Sequence, residues 1–212
     1  MSVTYVPRHF EFHGLKEKHD FIDKYNFGQL ISTHGDNLNI AFLPFLLNRT
    51  NFPLGSLQCH VARNNSIWRD IKKGRMTAIF SGPHAYISPQ WYSSLNQVPT
   101  WNYSAVFAEG RATLLNDDQI IPLLNKLTDN EENRTGNKSK WSTKEVGTSK
   151  YHSMITAIVG IELQIEKIYG KLKMSQNRSS KDRVGAINGL RESRSEERRV
   201  GKECRSRWSP YH

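Results

Sequence analysis

At 212 residues and 24.4 kDa, with 37% hydrophobic residues, the chain is long enough for one domain with a substantial core. It has no apolar run near the roughly 20 residues that cross a bilayer, no basic-then-apolar start of a secretory signal, and only two distant cysteines, Cys59 and Cys204, outside any CxxC pair; membrane, disulfide-framework and zinc classes are disfavoured and a soluble cytoplasmic protein is expected. The net charge of +10 suggests nucleic acid, but Lys171 to His212 holds twelve Lys and Arg against five Asp and Glu, so the first 170 residues carry only +3.

In chain order, Phe12 to Tyr25 reads as a short helix with Leu15, Phe21 and Ile22 inward. Phe27 to Thr33 and Leu38 to Leu47 are strand-like runs around His34-Gly35-Asp36-Asn37, a strong hairpin turn. Leu54 to Val61 is a third strand, and a brief helix follows near Ser66 to Lys73. Met76 to Phe80 is a compact strand that Ser81-Gly82-Pro83 should break before Ala85 to Ser88 extends again. Trp101 to Leu115 is a long strand, and Asn116-Asp117-Asp118 caps a helix expected to reach about Asp129. Asn130 to Thr148 is loop-like, Tyr151 to Ala157 begins a short helix, and Ile158 to Ile168 alternates as a half-buried strand does. Ser179 to Arg191 has helical spacing at Val184, Ile187 and Leu190, after which the pattern stops. The stretch from Ser193 to His212 fits a disordered basic arm, an ordered extension, or out-of-frame or vector-derived sequence; the lost periodicity favours the last. One domain over 1–192, followed by an atypical tail over 193–212, is the expected layout. Six or seven strands with short helices and no βαβ alternation indicate a mainly β, α+β fold, best met by an antiparallel barrel with peripheral helices.

Four segments could carry chemistry. His60-Val61-Ala62-Arg63-Asn64-Asn65-Ser66-Ile67-Trp68 crowds a guanidinium, two amides and a hydroxyl behind a strand, with a helix start beside them, which suits an anion such as phosphate. A solvated turn with Arg63 on the surface is the plainer reading. Gly82 to Tyr92 sets His84, Tyr86, Trp91 and Tyr92 on a backbone shaped by Gly82, Pro83 and Pro89; aromatic planes of this kind hold a planar ring or simply pack. Val98 to Tyr103 presents Thr100, Trp101, Asn102 and Tyr103 as a strand begins. Lys171 to Arg178 offers Lys173, Gln176, Asn177 and Arg178 to amide edges or anions, or is an ordinary basic loop. His9, His13 and His19 are expected to be surface residues rather than metal ligands. The chain has no GxGxxG after a strand, no P-loop, no GxSxG elbow and no helix-turn-helix pattern.

These segments, together with Tyr5-Val6-Pro7-Arg8-His9-Phe10 and Lys171-Leu172-Lys173-Met174-Ser175-Gln176-Asn177, resemble in order the PaiB family of FMN-binding negative transcriptional regulators, from about Ser2 to Leu190. The resemblance implies a split β-barrel similar to the pyridoxamine 5′-phosphate oxidase superfamily, and a homodimer with FMN at the subunit interface. It implies that Arg63, assisted by Asn64, grips the FMN phosphate, with His60 a further cofactor-binding residue. Trp101, Asn102 and Tyr103 would approach the isoalloxazine or ribityl chain, and Lys173, Ser175, Gln176 and Asn177 would close the site. No catalytic residue and no metal are implied. An FMN-binding repressor, with FMN as sensor or structural ligand, is the first functional reading. DNA is then a candidate partner, although no motif supports direct binding. A flavin-dependent oxidoreductase acting on a small or haem-like molecule is the second, with His84, Tyr86 and Tyr103 as candidate proton donors.

Overall fold

The structure, a computed structural model, describes residues 5–207 except Gly35 and Lys138; at Thr148 and residues 194–207 it describes the backbone alone. The elements are α1 (Leu15–Lys24), β1 (Phe27–His34), β2 (Asn37–Pro44), β3 (Leu46–Asn48), β4 (Ser56–Ala62), β5 (Met76–Ile87), β6 (Thr100–Leu114), α2 (Asp117–Thr135), α3 (Thr148–Thr156), β7 (Ile158–Lys173) and α4 (Ser180–Arg207). The described strands form one seven-stranded sheet in the order β2-β1-β5-β6-β7-β4-β3. The pairings of β1 with β2 and β5, of β3 with β4 and of β4 with β7 are antiparallel. The chain divides into two compact units, residues 5–6, 12–82 and 105–170, and residues 7–11, 83–104 and 171–207.

The first unit is a barrel, and the position of two strands requires it. The run expected as one strand, Leu38 to Leu47, is two: β2 ends at Pro44 and β3 begins at Leu46, at opposite ends of the strand order. Six strand spacings would separate them by about 29 Å in a flat sheet, while the two residue steps from Pro44 to Leu46 span at most about 7 Å. The sheet must therefore curl until its edges meet. Inside it, Ile22, Leu30, Phe45, Leu57, Ile67, Phe80, Val106 and Ile161 are fully or almost fully buried. Side chains of this size each stabilise by roughly 1.5–3 kcal/mol when buried. A smaller apolar cluster, Leu115, Ile120, Leu123, Leu127 and Ile155, fixes α2 and α3.

Helix α2 starts where expected. Asn116 Oδ1 accepts the Gln119 N–H at 3.1 Å and Gln119 Oε1 accepts the Asn116 N–H at 3.0 Å, a reciprocal capping box. It runs to Thr135 and stops at Gly136, absorbing part of the expected loop, because Asn26 and Asp23 O give Arg134 hydrogen-bond partners beyond Asp129. Strand β5 does not break at Ser81-Gly82-Pro83. Its ladder with β1 ends at Ile79, and Pro83 lies past that ladder, where a missing N–H is tolerated. The expected helix at Ser66 is only a five-residue 3-10 helix, Ser66–Asp70. Asn65 Oδ1 already accepts the Ile67 N–H at 3.0 Å, so this terminus adds no anion site. His19 is buried rather than on the surface, with Nε2 3.0 Å from Leu54 O, which ties α1 to the loop before β4.

In the second unit, α4 continues past Arg191, and the tail residues 208–212 lie outside the described residues. Its buried face is Asp182, Ala186 and Gly189 with half-buried Leu190, whereas Val184 and Ile187 are exposed. Gly185 and Gly189, one turn apart, leave room for Trp91. A Cβ at Gly189 would come 2.3 Å from the Trp91 ring, and one at Gly185 1.9 Å from Trp91 O.

Candidate functional site

In the first unit the nominated residues lie at the end of β4. Alternation sends Cys59 into the core, where burial pushes its thiol up to about 12. His60 points the other way and is half-buried. Its Nδ1 is shielded and has no hydrogen-bond partner among the described residues, and burial holds its imidazole below the usual histidine range. Arg63 is exposed but fixed: Nε donates to Thr156 O at 2.7 Å, Nη2 to Ile158 O at 2.9 Å, and its backbone N–H to Ala157 O at 2.8 Å. Trp68 Nε1 donates to Arg63 O at 2.9 Å and locks the turn from the other side. Asn64 beside it is exposed. Both side-chain partners of Arg63 are neutral carbonyls, so they orient the guanidinium without cancelling its charge. Among the described residues it has no carboxylate partner.

The second unit gathers the other nominated residues. Asn102 and Ser175 are buried and exchange hydrogen bonds at 3.1 Å. Ser175 sits at φ +62, a left-handed position rare for a residue with a Cβ. Gln176 folds back on its own turn: Oε1 accepts the Met174 N–H at 2.6 Å and Nε2 donates to Leu172 O. Lys173 Nζ donates to Thr100 Oγ1, and Lys171 Nζ lies 5.3 Å from the Tyr103 ring centre. Asn177 is exposed. Trp101 is 53% exposed and meets His84 at 6.2 Å and, edge-on, Tyr86 at 6.0 Å between ring centres. His84, Tyr86, Trp91, Trp101 and Leu190 line a cavity of about 490 Å³.

Asp182 organises this unit and escaped the sequence reading. One oxygen accepts the Ser93 N–H, Ser93 Oγ–H and Ser94 N–H at 2.9–3.0 Å, and the other accepts Ser94 Oγ–H at 2.7 Å. The Ser94 hydroxyl, followed by the other serine donors, holds this carboxyl well below the usual carboxylate range. Its partners are almost ninety residues away in the chain, so no local spacing reveals it.

FMN has a dianionic phosphate and a flat ring. A rigidly oriented cation without a counter-ion suits the first, and a solvent-facing indole flanked by two further rings suits the second. The residues of each unit thus offer the chemistry the cofactor needs. Asn102, Ser175 and Gln176 bond to one another or to backbone and shape the surroundings of Trp101.

The family model described as "Putative FMN-binding domain" matches residues 4–167. The chain is 31% identical over 187 residues to "Protease synthase and sporulation protein PAI 2" of Bacillus subtilis strain 168, covering 88% of each protein. Two solved structures share the fold at 15% identity. They are the FAD and heme binding protein from Mycobacterium smegmatis (TM-score 0.57, 83% of this chain, 79% of that one) and the flavocytochrome Anf3 from Azotobacter vinelandii (TM-score 0.58, 87% and 80%). The fold is therefore the flavin-binding split barrel, mainly β with peripheral helices. With the family matched over most of its length, the chain belongs to the FMN-binding domain family that includes the Bacillus PAI 2 protein, and FMN is its cofactor.

Proposed function

We propose that this protein is an FMN-binding transcriptional regulator of the repressor type, acting as a homodimer with FMN at the subunit interface as sensor or structural ligand. The observation that carries the cofactor role is Arg63, held by two carbonyl acceptors and, among the described residues, left without a carboxylate. In this reading Arg63 and Asn64 hold the phosphate, and His60 is a further cofactor-binding residue. Trp101 and Tyr103 face the ring or ribityl chain. Asn102, Lys173, Ser175, Gln176 and Asn177 keep that surface in place. The domain responsible is residues 1–192. The similarity to a sporulation protein over most of both chains supports the regulatory part. DNA is reached directly or through a partner protein.

The second reading, a flavin-dependent oxidoreductase for a small or haem-like molecule, is favoured by one observation. His84 and Tyr86, both able to transfer protons, stand beside the exposed Trp101 at a cavity. The flavin would supply the redox chemistry, while these side chains would orient the substrate or hold a proton at Nε2 or Oη. Purified protein titrated with FMN is expected to develop a bound-flavin spectrum without sustained oxidation of NADH or NADPH. A missing flavin band defeats the cofactor assignment, and multiple turnovers transfer the reading to the oxidoreductase. Sedimentation of the FMN-loaded chain as a monomer would remove the dimer.

A further inference from the structure

We propose that the barrel unit carries a second ligand site, for a small anionic amphipath: an apolar body ended by a carboxylate or a similar anion. The site is a cavity of about 760 Å³ between the 68–74 segment and the end of β6, within the size range of small-molecule pockets. Its walls are the Trp68 indole, Ile71, Ala112 and Leu114. Leu114 is 50% exposed, so part of its apolar surface faces the cavity mouth.

The polar part of the lining is cationic. Arg69, Lys72 and Arg111 border the cavity, and among the described residues no carboxylate does. The Arg69 guanidinium lies over the Trp68 ring, 5.4 Å from its centre. Among the described residues neither Arg69 nor Lys72 has an ion-pair partner. Arg111 shares Glu166 with Arg75, which takes the nearer contact at 2.6 Å and leaves Arg111 at 3.5 Å. Three cations and part of one carboxylate around an apolar floor leave an uncompensated positive field. A neutral apolar ligand would use only the floor, and a simple inorganic anion only the rim. An amphipathic anion uses both.

The site is separate from the proposed phosphate grip, yet one residue touches both: Trp68 lines the cavity and donates to Arg63 O. An occupant that shifts this indole would shift the Arg63 turn, which gives a regulator a route from an effector to its cofactor.

Calorimetric titration of the full chain with dodecanoate and with dodecanol tests the proposal. Dodecanoate is expected to bind about tenfold or more tightly than dodecanol, the value of one charge-assisted contact. The double variant Arg69→Ala, Lys72→Ala should lose that preference. Gly74→Trp should block both ligands, since a Cβ at Gly74 meets nothing within 4 Å and the new indole can enter the cavity. Circular dichroism and FMN titration of each variant report folding and the cofactor site separately. Equal affinity for the two ligands, or an unchanged preference in the double variant, overturns the proposal. Displacement of dodecanoate by FMN also overturns it, by making the cavity part of the cofactor site. If FMN fails to bind at all, the cofactor reading falls while the dodecanoate comparison still decides this one.

Discussion

Replacing Arg63 with alanine separates a phosphate grip from a merely structural arginine. The guanidinium has five N–H groups, and Nε and Nη2 each place one on a backbone carbonyl. Three remain, enough for a bidentate contact with one phosphate. Hydrogen bonds to charged groups contribute about 1.5–3 kcal/mol, so FMN affinity should fall roughly 10- to 150-fold in Arg63→Ala. Riboflavin has the same ring and ribityl chain without the phosphate, and its affinity should change less than about threefold. The freed Thr156 and Ile158 carbonyls lie near an exposed side chain, and water can replace the lost donors. Arg63→Lys keeps the charge and loses the fork, and is expected to lie between wild type and alanine. Flavin fluorescence titrations at two salt concentrations provide the measurement. FMN binding should weaken with salt in the wild type and much less in Arg63→Ala. Parallel losses for FMN and riboflavin would refute the phosphate role and leave Arg63 as a brace between the turn and β7.

Gly189→Ala, normally favourable in a helix by roughly 0.5–1 kcal/mol, should here destabilise by about 1–3 kcal/mol, because the new methyl meets the Trp91 ring; a raised denaturation midpoint would contradict the packing of α4. Cys59, buried and with its thiol pushed up to about 12, should stay unmodified when native protein is treated with iodoacetamide at pH 8 and react after denaturation, as peptide mapping would show. His60 should titrate below free histidine by NMR. The unfolded chain then binds this proton first, so stability is lost as pH falls below about 6.5, and His60→Gln should flatten that part of the profile. Asp182→Asn removes the charge from a carboxylate that gathers four donors; limited proteolysis should then cut near Ser93-Ser94 faster than in wild type, and equal rates would argue against the anchor.

The elements legible in the chain are those whose hydrogen bonds close locally. The Asn116–Gln119 capping box, the two-residue connection that sets His34 opposite Asn37, and the alternation along β7 all lie within a few residues of their causes. The motifs around Arg63 and Trp101 were legible as well, because they crowd polar and aromatic groups into short stretches. The division between β2 and β3 was not: Pro44 sits inside the apolar run Ile40 to Leu47, but only barrel closure forces a corner at Phe45. The continuity of β5 through Gly82-Pro83 was hidden for a related reason: whether a proline breaks a strand depends on whether a neighbour needs its N–H.

The sequence by itself determined the chemical inventory of this protein: a mainly β chain, an arginine at a strand end, a row of aromatic residues, and the family those segments resemble. Tertiary structure decided which of those groups remain available. It placed Gln176 and Asn102 on backbone and serine partners, seated Trp91 against two helical glycines, and left Arg63 oriented but unneutralised. The reason is that a side chain's donors and acceptors are fixed by its covalent structure, whereas their partners are chosen by folding contacts between residues far apart in the chain.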